Sequence, residues 1–91
     1  MATTVKNGEL VSAPDTNEQE IAFSDAAVIP KELYAFIEVV SGTIQFAVGE
    51  SITAAHRAWP AGSKFTISFR HFNRNIRYKA ANAAETFVIT I

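Results

Sequence analysis

Three stretches in the second half of this chain alternate strictly between apolar and polar residues. Phe65, Ile67 and Phe69 are interleaved with Lys64, Thr66, Ser68 and Arg70. Ile76, Tyr78 and Ala80 are interleaved with Asn75, Arg77 and Lys79, and Phe87, Ile89 and Ile91 with Thr86, Val88 and Thr90. A period of two sends the first set of each stretch to one face of a sheet and the second set to the other. The pattern predicts an all-β chain. It also leaves few residues for chemistry, because nearly every position already has a place in a strand.

The rest of the chain extends the pattern. Ile21 and Phe23 flank Ala22 in a short strand near 19–25. Ile29-Pro30 favours extended backbone and then a turn. Tyr34 to Val40 is apolar on both faces, as in a central strand or one whose outer face meets a partner. Ser41-Gly42 breaks it, and residues 43–48 alternate again. A two-residue hairpin here would set Val39 opposite Ile44 and Ile37 opposite Phe46. Ile52, Ala55 and Trp59 have helical spacing, but the stretch ends at Pro60 and reads better as a short strand or an irregular crossover. Trp59-Pro60-Ala61-Gly62 fits a type I turn. A second hairpin through residues 71–74 would set Phe69 opposite Ile76 and Ile67 opposite Tyr78. Six or seven short strands of this kind predict a small antiparallel β-sandwich or a jelly-roll-like flattened barrel. Residues 1–19 are polar, with Val5, Leu10 and Val11 as their sizeable apolar side chains. They read as an extended N-terminal arm, leaving residues 20–91 as a single sandwich domain.

A chain of 91 residues is one domain. At that size only roughly 60–65% of the unfolded surface is buried, so association with other copies is a plausible source of added stability. The chain has no cysteine, which removes disulfides and thiolate metal sites. No apolar run at the start suggests a secretory signal, and no run approaches the about 20 residues of a membrane-spanning helix. Charge is segregated. Residues 1–50 carry eight acids and two bases, and residues 51–91 carry six bases and one acid. Acidic and basic strands could neutralise each other within one sheet, or patches of opposite sign could meet between copies.

Catalytic and metal motifs are not legible. His56 and His71 lie far apart, with no acid next to either in sequence and no nucleophile-elbow pattern. The four glycines are isolated turn glycines, not a phosphate loop. No cofactor is expected. An alternative is a small carbohydrate- or ligand-binding β module, with Trp59, beside a turn, and Tyr34 as candidate contacts and Phe72 as a further one. Residues 69–79 interleave Arg70, Arg74, Arg77 and Lys79 with aromatics, as single-strand nucleic-acid binders do. Alternation turns Phe69 and Tyr78 inward, however, which leaves Phe72 as the one ring free to stack. The candidate association surface is the row Tyr34, Phe36 and Val40, with Leu10 and Val11 of the arm and the cations Arg70, Arg74 and Arg77.

Val39-Val40-Ser41-Gly42-Thr43-Ile44-Gln45-Phe46, Trp59-Pro60-Ala61-Gly62-Ser63-Lys64-Phe65, Tyr78-Lys79-Ala80 and the terminal Phe87-Val88-Ile89-Thr90-Ile91 resemble segments of small accessory proteins of tailed-phage virions. The resemblance spans residues 28–91. It implies a compact β-sandwich or jelly roll that decorates a capsid or tail, with no catalytic residues. It also implies a homo-oligomer, a trimer favoured, held to a capsid or other virion protein by apolar and charge-complementary contacts. Its place would be the virion, after synthesis in the cytoplasm of a bacterial host, with neither membrane nor nucleic acid as partner.

With its aromatics turned inward, the chain should bind single-stranded DNA no more tightly than non-specific electrostatics allows. Fluorescence anisotropy with a labelled oligonucleotide at physiological salt measures this. Sub-micromolar binding lost on Arg74→Ala and Phe72→Ala would reverse the reading.

Overall fold

The computed structural model describes residues 2–6, 8–23, 33–69 and 76–90. They form β1 (Ala2–Val5), β2 (Leu10–Ser12), β3 (Gln19–Phe23), β4 (Leu33–Ser41), β5 (Thr43–Val48), β6 (Ala58–Pro60), β7 (Lys64–Phe69), β8 (Ile76–Ala80) and β9 (Thr86–Thr90). Five strands make one sheet in the order β1-β3-β8-β5-β6, and four make the other in the order β2-β9-β4-β7. Every pairing is antiparallel except β1 with β3, which is parallel. The fold is thus an all-β domain of two packed sheets. It has nine described strands rather than six or seven, and their pairing forms two sheets with free edges rather than a closed ring.

Alternation assigns the faces correctly. Phe87 and Ile89 of β9, Ile76, Tyr78 and Ala80 of β8, and Ile44 and Phe46 of β5 all point into the core. So do Ala35, Ile37 and Val39 of β4, with Phe65 and Ile67 of β7 packed against them. The two sheets are joined by rings. Phe46 of the five-stranded sheet meets Phe65 and Phe87 of the four-stranded sheet edge-on, at centroid distances of 5.6 and 5.2 Å. Tyr78 meets Phe87 at 4.8 Å, also edge-on. Edge-to-face contact suits the ring quadrupole and adds to the burial of area.

The two expected hairpins do not exist. β4 and β5 belong to different sheets, and so do β7 and β8. Ser41-Gly42 is a corner at which the chain changes sheets. Parity could not reveal this, because inward residues satisfy it either side by side in one sheet or facing across the core. Ile37 pairs in register with Ile89 and Phe65, not Phe46, and Ile44 pairs with Ala80 and Trp59, not Val39. The turn after β6 also shifts by one residue. Ser63 N–H donates to the Pro60 carbonyl at 3.1 Å with Gly62 at φ +89°, a type II turn over 60–63. The residues of the second expected loop, 71–74, and those around Pro30 lie outside the described residues.

The N-terminal residues are not an arm. β1 lies along β3 with Val5 opposite Phe23, and β2 lies along β9 with Val11 opposite Phe87. Val5, Val11 and Ala13 are core residues. The sandwich therefore takes in both early strands. Strands of four and three residues hold too few periods to be recognised, yet each delivers an apolar side chain to the core at one point.

This reverses what an arm would imply. Each buried valine is worth about 1.5–3 kcal/mol, against a total stability of about 5–15 kcal/mol for a domain. Deleting residues 1–15 uncovers Phe87 and removes Val5, Val11 and Ala13, so it should abolish cooperative melting. Thermal circular dichroism of the truncated chain checks this, and a melt close to that of the full chain would contradict it.

Candidate functional site

The described outer face of the four-stranded sheet carries one acid and one base, Glu38 and Lys64, which stand opposite each other in register. Register places Leu10, Val88, Glu38 and Lys64 in one row across β2, β9, β4 and β7, and Thr90, Phe36 and Thr66 in the next. Leu10 is 60% exposed, Val40 47% and Phe36 45%. Val40 stands out because β4 carries a bulge there, between Val39 opposite Phe87 and Ser41 opposite Thr86. Phe36 and Val88 are diagonal neighbours, within reach for an aromatic ring. Of the residues expected at an association surface, the structure brings Leu10, Phe36 and Val40 to this face. Val11 is instead buried, because β2 turns it toward Phe87. The Tyr34 side chain, Arg70 and Arg74 lie outside the described residues.

The outer face of the five-stranded sheet is polar and partly roofed. Lys79, Gln45 and Ala58 form a row across β8, β5 and β6. Over it stand the segment 14–18 on one side and the loop 49–57 on the other. Glu18 Oε1 accepts the Ile52 N–H at 2.6 Å, and Gln45 Nε2 donates to the carbonyls of Thr53 and His56. Between these walls lies a cleft of about 610 Å³, bordered by Thr16, Asn17, Glu18, Thr43, Ile52 and Lys79 among others. Its lining comes from five separate parts of the chain, so no local motif could announce it.

Arg77 does not belong to a free cationic track. It lies 3.6 Å from Glu18, hydrogen-bonds Ser51 and stands opposite Glu20 in register. Glu38 likewise stands opposite Lys64 in register, so at these two places an acid of the first half lies beside a base of the second. Phe72, the ring proposed to stack on bases, lies outside the described residues. Trp59 is not available to a ligand. Phe65 stacks on it at 3.9 Å, and the Arg57 guanidinium lies over the ring at 4.3 Å. Two groups that close to one centroid must cover opposite faces.

The fold supplies an acid for His56 that sequence proximity did not suggest. His56 Nε2 lies 3.0 Å from Glu50, and Nδ1 accepts the Thr53 N–H at 2.9 Å. The proton therefore sits on Nε2. The Thr53 hydroxyl is 3.3 Å from the same Nδ1, but that nitrogen's lone pair already faces the backbone donor. The three residues close the loop over the sheet. Their local signal is the Thr53-x-x-His56 spacing of a side-chain-capped turn.

Two perturbed groups are structural. Tyr78 and Thr3 hydroxyls are 2.8 Å apart, Thr3 donates to Gln19, and Gln19 donates to Asp15. Burial raises the Tyr78 phenol, the Thr3 hydrogen bond opposes this and the Asp15 charge adds to it. Glu85 sits at one end of the sandwich. Its Oε2 accepts the Thr43 N–H and its Oε1 the Asn82 N–H, at 3.1 and 2.9 Å. Its own backbone carbonyl accepts from Ala13. Burial alone would raise its carboxyl, but the backbone donors of Asn82, Thr43 and Ala81 and the Asn82 side chain outweigh it and hold the group low. Gly42, at φ +77°, lies against this carboxylate, and a Cβ there would fall on it.

Comparison with models of known families, with curated proteins and with solved structures finds no match to this chain.

Glu85 gives stability an acid limb. Its folded pKa lies below the unfolded value, so its contribution is complete above the ordinary carboxylate range and is lost as pH falls through the folded pKa. Glu85→Gln should flatten that limb and cost about 1.5–3 kcal/mol at neutral pH, the value of hydrogen bonds to a charged group. Urea midpoints measured across pH for both proteins check it. Parallel curves for the two would assign the acid limb to other groups.

Proposed function

We propose that this chain is a non-enzymatic virion structural protein, a capsid decoration or cement protein that works as a homo-oligomer. The observation that carries the reading is the outer face of the four-stranded sheet, where Phe36, Val40 and Leu10 stand exposed on a surface whose registered charges, Glu38 and Lys64, cancel. Soluble monomers rarely leave a contiguous apolar patch uncovered, and a neutral face can meet a copy of itself without repulsion.

Topology supports the reading at the level of fold analogy. Strands β2 to β9 run in jelly-roll order, with β2-β9-β4-β7 on one side and β3-β8-β5-β6 on the other, and β1 is an addition at one edge. Jelly rolls recur in viral capsid domains, and also in lectins and cupins, so the sheet face carries more weight than the topology. The adhesive mechanism is burial of this face against neighbouring copies, a trimer being favoured, and against a capsid or other virion protein. Because Glu38 and Lys64 stand opposite each other in register on this face, apolar burial rather than charge is the main attraction, and its response to salt should be small.

The test is light scattering over a wide concentration range, with circular dichroism as a fold control. The native chain should exceed monomer mass, and Phe36→Asp with Val40→Asp should return it to monomer with its β-spectrum intact, since both side chains lie on the outer face and outside the core. Co-sedimentation with assembled particles tests attachment. A native chain that stays monomeric at high concentration, or a double variant that associates normally, would overturn the reading.

A further inference from the structure

The cleft over the five-stranded sheet shares no residue with the association face, and its lining has its own chemistry. Its walls are fixed to one another through Glu18 and Ile52 and to the floor through Gln45. The acids nearby are engaged. Glu18 bonds Ile52 and faces Arg77, while Asp15 Oδ1 accepts from the Gln19 amide and the Asn17 N–H. Lys79, by contrast, is exposed on the border of the cleft with no hydrogen bond or ion pair to any described residue. The same holds for the hydroxyls of Thr16 and Thr43 and the side-chain amide of Asn17. Ala58 and Ile52 add an apolar surface.

We propose that this cleft binds an acidic sugar of the uronic acid class. The Lys79 ammonium would take the carboxylate. Thr16, Asn17 and Thr43 would take ring hydroxyls, and Ala58 and Ile52 would take the apolar face of the ring. A simple anion would use Lys79 alone and leave the other polar groups without partners. A neutral sugar would leave the one unpaired charge unanswered. A volume of about 610 Å³ falls within the usual range of small-ligand pockets. Among the described residues no aromatic ring lines the cleft, so each copy binds weakly, and many copies displayed together would gain by avidity. The proposal stands apart from the assembly reading and does not require it.

The experiment is a nitrogen-15 NMR titration of the full chain with sodium glucuronate, and separately with glucose and with acetate. Glucuronate should shift the amides of Asn17, Thr43, Ile52 and Lys79, and neither glucose nor acetate should match it at equal concentration. Lys79→Ala should weaken glucuronate binding about tenfold, or about 1.4 kcal/mol, with the spectrum otherwise preserved. Shifts reproduced by acetate, equal affinity for glucose, shifts that map elsewhere, no response, or indifference to Lys79→Ala would each overturn the proposal.

Discussion

The fold depends on four rings that interlock between its sheets. Phe46 and Tyr78 come from one sheet and Phe65 and Phe87 from the other, and each ring meets a ring of the opposite sheet. A small domain has little apolar area to bury, so large aromatic side chains at the centre count for much of its stability. Their edge-on geometry also limits how the sheets slide past each other. The surfaces described above inherit their positions from this: with one face of each sheet committed to the rings, the opposite faces become the apolar surface around Phe36 and the polar floor around Lys79.

The ends of the sandwich are held by polar contacts. Glu85 gathers the corner at Thr43, the turn at Asn82 and the chain at Ala13. Inside the sandwich, Tyr78, Thr3, Gln19 and Asp15 form a chain of hydrogen bonds that leads from the core outward. No buried side-chain nitrogen or oxygen among the described residues lacks a partner. A fully satisfied buried network adds specificity, because any slip of β1 or β3 would orphan several groups together.

Much of this was legible in the sequence. Parity alone predicts that Phe87, Ile89 and Tyr78 face inward, and the doubly apolar run of β4 points to an outward row that includes Phe36 and Val40. Strand neighbours were not legible, because Ile37 satisfies the same parity beside Ile89 as it would beside Phe46. Residues 2–13 misled because Val5 and Val11 stand among polar residues, and burial of one side chain per short strand leaves no periodic trace. Trp59 reads as available because Phe65, which stacks on it, reaches it only through the turn that follows β6. The cleft was invisible for the same reason: Asn17, Thr43, Ile52 and Lys79 meet only after both sheets have formed.

The topology has a consequence for how such a chain is made. β2 pairs with β9 and β3 with β8, so the earliest strands find their partners among the latest. On a ribosome, Val11 would wait for Phe87 through most of synthesis, with its strand edge open to other chains. Pairings this distant in sequence also slow spontaneous folding. Production should therefore be sensitive to crowding among nascent copies, and a holding chaperone that covers the open strand edge should raise the yield of folded protein more than added stability would.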